Sequence, residues 1–147
     1  MSGREERFVG YRLARLRVPD LDGAPLEVHP APPGERTGRF PFDAPVHVLT
    51  AYDPGAARLP AAENARRHRA LVSELPAHVR RWASETGAVD GSHTEHGVLV
   101  EGLTDDEAVA LGARYGQDAV FRWSAAAWSV LPCDGGPSSD AGWRISG

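Results

Sequence analysis

Three polar side chains, Asn64, Arg67 and His68, have the types and the spacing to bind a ligand. They precede Leu71 by seven, four and three residues, so in a helix they lie on or beside the face that Leu71 would bury. That face is therefore apolar towards the helix end and polar at its start. An arginine there offers a forked donor for a carboxylate or phosphate. The sequence predicts that these residues bind a small anionic molecule.

Two carboxylates and one amide lie near the ends of predicted strands. Asp53 follows the strand over 46–52, Glu95 precedes a strand that begins at Gly97, and Gln117 precedes a later strand. Glu95 is the candidate general acid or base, with Asp53 as its substitute, provided that burial raises the carboxyl pKa. Gln117 is placed equally well to cap a helix end or to reach a ligand. Whether the chain is an enzyme stays open.

The segment 92–96, SHTEH, holds residue types that ligate metals. Its spacing differs from the His-Glu-x-x-His pattern, which places two ligands on one helical face. In an extended chain His93 and Glu95 share a face, while His96 points away. We therefore predict that this segment does not bind a metal. His93 and His96 are the candidate ligands if it does. A structural alternative also stays open, in which Arg67 forms an ion pair with Glu95.

The elements that must hold these residues follow from apolar patterning and end signals. The nearly continuous apolar run Val46–Tyr52 predicts a central strand, which ends at Asp53. Pro60 suits the first turn of a helix that ends near Leu75. A second helix begins with a capping box at Thr104. Further strands are predicted over 97–102 and 118–123.

The order of these elements favours an α+β fold in which two helices pack on one face of a mostly antiparallel sheet. A ferredoxin-like topology fits this order. Residues 7–19 are predicted to form a strand, although their Leu spacing also fits a helix. Residues 1–131 are predicted to form one domain, and 132–147 a flexible tail. Loops are predicted over 30–45 and 86–97.

Composition limits the classes of protein to consider. The 147 residues carry a formal net charge of −4, which does not favour binding to nucleic acid. Lysine is missing, which excludes Schiff-base chemistry, and the single Cys133 excludes an internal disulfide. No apolar run is long enough to span a membrane, and no secretory signal is visible. A cytoplasmic protein is expected, and no motif names a cofactor.

The motifs together resemble the DUF3293 domain family, a bacterial family of uncharacterised function. They are Thr50-Ala51-Tyr52-Asp53-Pro54, Glu63-Asn64 with Arg67 and Leu71, Glu95 before 98–102, and Tyr115-Gly116-Gln117. The resemblance covers most of residues 8–123. Asp53 stands where the family pattern has Asn, and the aromatic residue often found near Glu95 is missing. The resemblance implies that Asn64, Arg67, Glu95 and Gln117 converge on one pocket, without implying an activity.

Three functions remain to be weighed. The first is binding of a small anionic ligand in a polar pocket where strand 46–52 meets helix 60–75. The second is a non-catalytic protein interaction module or homodimer, which would use an open sheet face with Trp128 and Trp143. The third is nucleic-acid binding, which rests only on the local arginine cluster around Arg66 in a net acidic chain.

Overall fold

A computed structural model describes residues 3–55, 57–88 and 93–146 of the chain. Over these ranges the chain forms three helices, which are α1 (Gly3–Leu13), α2 (Ala61–Glu74) and α3 (Asp105–Arg114). The strands there are β1 (Arg15–Leu21), β2 (Ala24–Ala31), β3 (Arg36–Thr37), β4 (Val46–Leu49), β5 (Arg80–Gly87), β6 (Thr94–Glu101), β7 (Ala119–Trp123), β8 (Trp128–Pro132) and β9 (Ser139–Ser146). Part of the predicted loop 86–97, residues 89–92, lies outside the described residues.

The strands form one closed antiparallel barrel. Eight of them pair in the order β2-β1-β5-β6-β4-β7-β8-β9, and β9 pairs back with β2. Each pair around this ring is antiparallel. The two-residue strand β3 adds to β9 in parallel. Because every strand of the ring has a partner on both sides, the ring has no free edge strand.

Aromatic and branched side chains pack the interior of the barrel. Trp123, Trp128 and Trp143 are each at most 2% exposed, and the rings of Trp123 and Trp143 meet edge to face at 5.5 Å. Phe40 and Phe42 come from the segment between β3 and β4, and their rings lie 4.9 and 5.8 Å from Trp123. These two phenylalanines close the end of the barrel at which β4 begins. A cavity occupies the opposite end, where β4 ends and β6 and β7 begin.

Helices α2 and α3 pack on the outer face of β4, β6, β7 and β8. Strand alternation produces this second core, because neighbouring residues of one strand point to opposite faces. On β4, Val48 belongs to the interior cluster, while Leu49 belongs to the outer cluster together with Leu71 of α2 and Leu111 of α3. The two helices therefore fix the end of β4 from outside the barrel.

The capping box at the start of α3 is confirmed. The Thr104 hydroxyl accepts a hydrogen bond from the Glu107 N–H at 3.1 Å. The Glu107 carboxylate accepts in turn from the Thr104 N–H at 2.9 Å. Two helix donors that would otherwise lack partners are satisfied in this way.

The predicted fold class is wrong. The helices α2 and α3 do share one face of the strands, but the sheet closes on itself as a barrel and is not the open sheet of a ferredoxin-like fold. The deciding contact is the pairing of β2 with β9, in which Val28 lies opposite Ile145. Such a pairing joins the two ends of the chain, and no local sequence pattern encodes it.

The two ends of the chain also differ from their predicted forms. Residues 3–13 form α1, and the strand begins only at Arg15. The segment predicted to be a flexible tail contains β9, whose Trp143 and Ile145 join the interior cluster. The segment that contains Glu35 passes close to β9 at Gly142. A residue with a side chain would not fit there, because a Cβ at this position would lie 2.1 Å from the Glu35 carbonyl oxygen.

Candidate functional site

A cavity of about 400 Å³ lies at the barrel end opposite Phe40 and Phe42, and we call it the barrel mouth. Its apolar wall includes Tyr11 of α1, Ala14 directly after that helix, and Phe121 of β7. Its polar residues come mostly from the strand ends and the connections beside them. They are Arg7, Thr50, Asp53, Arg58, Thr86, His93, Glu95 and Gln117. The mouth therefore combines an apolar wall with a cluster of ionisable groups.

Helix α1 covers one side of the mouth and is held there by Asp118. The Asp118 carboxylate accepts from Arg7 Nε at 2.5 Å and from the Tyr11 hydroxyl at 2.8 Å. Burial acts to raise the pKa of Asp118, but the Arg7 and Tyr11 hydrogen bonds outweigh it and lower the pKa. Arg7 is thus engaged with a carboxylate of its own chain.

Asp53 stands at the junction between β4 and α2, with its backbone in the left-handed region at φ +43°. Its Oδ1 accepts from the Leu59 N–H at 2.8 Å and from Asn64 Nδ2 at 3.0 Å. Asn64 Oδ1 accepts the Asp53 N–H at 3.0 Å, so the two side chains fix each other. Although burial acts to raise it, the pKa of Asp53 is lowered by these bonds and by the charge of Arg58. Asp53 is therefore an ionised carboxylate near neutral pH.

Glu95 lies on β6 directly opposite Thr86 of β5, and both line the mouth. His93 Nε2 lies 3.0 Å from Glu95 Oε2, and its Nδ1 lies 2.5 Å from Arg58 Nη1. Because a guanidinium only donates, Nδ1 of neutral His93 accepts, and its Nε2–H donates to Glu95. Burial raises the pKa of Glu95, against the lowering effect of the His93 hydrogen bond.

Asp53, His93 and Glu95 form one compact group, which we call the mouth cluster. One ligand-capable atom from each residue lies within 4.8 Å of the other two. Arg58 borders the group, with Nη1 3.8 Å from Asp53 Oδ2. Two carboxylates and an imidazole at this spacing can bind a cation, accept hydrogen bonds or exchange protons with a bound molecule.

Arg67 and Gln117, both predicted to contact a ligand, are engaged with backbone carbonyls. Arg67 Nε donates to the Ala51 carbonyl at 2.8 Å, and its Nη2 donates to the Tyr115 carbonyl. Gln117 Nε2 donates to the Tyr52 carbonyl at 2.9 Å, although Gln117 also lines the mouth. These bonds join the end of β4 to the end of α3. The structure pairs Glu95 with His93, whereas Arg67 has these carbonyls as its partners.

His68 and His96 lie together outside the lining of the mouth. Both rings contact Tyr52, at 6.5 and 5.7 Å between centroids. Burial and the nearby charge of His96 lower the pKa of His68. His96 itself is exposed on β6. Of the two histidines named as metal candidates, the structure brings only His93 to the carboxylates.

Comparison with known families matches residues 49–120 of the chain to a family model described as a protein of unknown function, DUF3293. Residues 49–120 belong to the DUF3293 family. The family predicted from the sequence is thereby confirmed. No curated protein and no solved structure matches the chain.

None of the helices in the described parts of the chain is long and apolar enough to cross a membrane.

The DUF3293 segment contains the whole mouth cluster together with Asn64, Arg67 and Gln117. Other residues of the mouth were missed by sequence reasoning. Arg58 follows a turn and carries no pattern that would single it out. Tyr11 and Phe121 lie on elements that only the folded barrel brings together, at 6.4 Å between their rings. The three-residue spacing of Phe8 and Tyr11 on α1 was the available signal, and it fits a helix with one buried face.

Proposed function

We propose that the barrel mouth binds a small molecule, with an apolar body against α1 and β7 and a polar head at the mouth cluster. One observation carries this proposal: the cavity that ends at Asp53, His93 and Glu95 lies at the barrel end opposite the Phe40 and Phe42 plug. Barrel mouths are common ligand sites, and cavities of about 300–1,000 Å³ suit small molecules. The cavity here, about 400 Å³, falls within that range.

The walls of the mouth indicate what such a molecule would offer. Tyr11, Ala14 and Phe121 present carbon surface to the cavity, and apolar contact is the main source of affinity in pockets of this kind. At the other side, the ion-pair partner of Asp53 Oδ2 among the described residues is Arg58, at 3.8 Å. A ligand that fills the mouth therefore needs both an apolar part and a polar head.

The anionic head expected from the sequence would depend on Arg58. Arg67 is engaged with two backbone carbonyls, and Arg7 is held by Asp118. The Arg58 side chain is 70% exposed and has a long contact of 3.8 Å to Asp53. Because it is mostly exposed, it can turn to a carboxylate or phosphate of a bound molecule.

A thermal-shift screen of wild-type protein and one cavity-filling variant tests the proposal. The compounds are small carboxylic acids, phosphates, amines and sugars that carry an apolar group. Gly10→Leu adds a side chain at the mouth, where its Cβ would point into open space with no atom within 4 Å. Arg12→Leu, at an exposed position on the same helix, is the matched control. A compound at about 100 times its dissociation constant adds roughly 2.7 kcal/mol, which is readily detected.

We expect compounds that stabilise wild type to keep their effect in Arg12→Leu and to lose it in Gly10→Leu. In the presence of a chelator, anionic compounds should in addition lose it in Arg58→Ala. If every stabilising compound acts equally on Gly10→Leu and wild type, the mouth is not the binding site. A screen in which no compound stabilises wild type also contradicts the proposal.

The alternative of a homodimer or interaction module meets a geometric obstacle at the residues proposed for it. Trp128 and Trp143 are each 2% exposed and lie inside the barrel, where a partner cannot reach them. Such a function would have to use another surface. The exposed apolar residues Val9 and Leu13 of α1 are the large ones available among the described residues.

A further inference from the structure

We propose that Asp53, His93 and Glu95 bind one divalent transition-metal cation at the barrel mouth. This inference rests on the proposed function, because the cation would hold the polar head of the bound molecule. It also explains how a pocket with two carboxylates can receive an anionic head: the metal supplies the positive charge between them.

The three donor atoms converge from separate parts of the chain. Asp53 comes from the connection after β4, His93 directly precedes β6, and Glu95 lies at the start of that strand. Their ligand atoms all lie within 4.8 Å of one another, so small side-chain rotations bring them to one centre. Metal–ligand distances of about 2.0–2.2 Å place two ligands of one ion about 3–4 Å apart. The side of the cluster that faces the cavity is left for the bound molecule.

Asp53 is already oriented for this role by groups behind it. Its Oδ1 holds the Leu59 N–H and the Asn64 amide, which leaves Oδ2 for the cluster. Ligating carboxylates and histidines in metal sites are commonly positioned by such outer hydrogen bonds. Asn64 is 5% exposed, so this support is fixed within the fold.

The donor set selects the class of metal. One imidazole nitrogen with two carboxylates suits zinc, manganese or ferrous iron. Calcium and magnesium prefer oxygen ligands throughout, and magnesium also keeps several waters. The expected order of affinity is therefore zinc above manganese, with magnesium far weaker.

Arg58 now occupies the outer side of the cluster. Its guanidinium contacts His93 Nδ1 at 2.5 Å and lies 3.8 Å from Asp53 Oδ2. The chain thus places its own cation where the metal would bind, and the two compete. Because the Arg58 side chain is 70% exposed, it can leave the cluster for solvent. Removing it should leave metal affinity unchanged or higher.

Isothermal titration calorimetry on chelator-treated protein tests the inference, with zinc, manganese and magnesium chlorides as separate titrants. Wild type should bind one zinc or manganese ion per chain, and His93→Ala should weaken that affinity by at least about tenfold. His96→Ala is the matched control, since His96 is exposed and lies outside the cluster. It should bind as wild type does. Glu95→Gln, which keeps the side-chain shape and removes the charge, should weaken binding like His93→Ala.

Absence of one-to-one zinc or manganese binding in wild type overturns the inference, as does equal affinity in His93→Ala and His96→Ala. A large loss of metal affinity in Arg58→Ala contradicts it as well. Circular dichroism confirms that each variant is folded. Repeating the compound screen in the presence of a chelator distinguishes failure of the metal proposal from failure of the proposed function. If compounds still stabilise wild type with chelator present and lose that effect in Gly10→Leu, the mouth binds small molecules without a metal.

Discussion

At the residue scale, the two carboxylate oxygens of Asp53 have different roles, one in the fold and one in the candidate site. One oxygen holds the Leu59 N–H and the Asn64 amide, and the other faces the mouth cluster. Its left-handed backbone, at φ +43°, is tolerated because Asp and Asn adopt that region more readily than most residues. The turn between β4 and α2 therefore delivers a charged group to the mouth in a fixed position.

Asn64→Ala should destabilise the fold and loosen Asp53. The buried amide exchanges two hydrogen bonds of 3.0 Å with Asp53, and its loss leaves the Asp53 N–H without that partner. We expect a loss of about 1–3 kcal/mol in the free energy of unfolding. Urea denaturation measures it. Glu63→Ala, one position earlier and paired with Arg66 at the surface, is the control and should change much less. An equal loss in both variants would refute this role.

At the element scale, α1 is docked onto the barrel by a partly buried ion pair and an exposed one. Arg7 and Tyr11 bind Asp118, while Arg4 binds Asp134 near the surface. Partly buried, charge-assisted hydrogen bonds contribute more than exposed ion pairs. The helix that walls one side of the mouth should therefore depend on Asp118 more than on Asp134.

Asp118→Asn should cost about 1–2 kcal/mol in unfolding free energy at neutral pH, and Asp134→Asn should cost less. The pKa of Asp118 is lowered in the fold, so its contribution is present above the unfolded pKa of about 3.9. This contribution to stability is lost as the pH falls from about 3.9 through the lower pKa that Asp118 has in the folded protein. Urea denaturation at several pH values should show a smaller acid loss in Asp118→Asn than in wild type. The same loss in both would contradict the assignment.

Several individual elements could be predicted from the sequence because their signals are local. The run Val46–Tyr52 predicts a strand, and β4 covers its first part, Val46–Leu49. Pro60 marks the start of α2, and Thr104 caps α3. For the segment that forms α1, the alternation of Arg with apolar residues in 7–19 predicts a strand, while the spacing of Phe8 and Tyr11 also fits a helical face. The burial of Phe8 against the barrel decides between the two patterns, and that contact lies outside the segment itself.

The candidate site was predictable in part. The position of a pocket at the junction of β4 and α2 follows from a strand ending beside a helix start, and Asp53 and Glu95 were recognised as its carboxylates. The partners of Arg67 and Arg58 could not be predicted from the sequence. Whether a guanidinium donates to a backbone carbonyl or borders a cavity depends on the tertiary path of the chain.

At the scale of the whole molecule, the fold depends on β9 closing the ring. Its Trp143 lies in the interior against Trp123 and Phe40. The composition of 132–138, rich in Pro, Gly and Ser, predicts a flexible segment and hides the strand that follows it. Closure between β2 and β9 is a long-range pairing, so it could not be derived from local periodicity.

Trp143→Ala should destabilise the protein by about 3–5 kcal/mol, since it removes a large side chain that is 2% exposed. Arg144→Ala, the next residue on the same strand, removes an exposed partner of Glu35 and should cost less than about 1 kcal/mol. Thermal and urea unfolding measure both. A small effect of Trp143→Ala would show that β9 does not close the barrel.

NMR mapping of amide chemical shifts is the most direct test of small-molecule binding at the barrel mouth. The strongest compound from the screen is titrated into wild-type protein. We expect the amides of Gly10, Thr86, Glu95, Gln117 and Phe121 to shift together and to saturate with one affinity. Shifts centred instead on Phe40 and Phe42 at the closed end, or on the outer faces of α2 and α3, would contradict it.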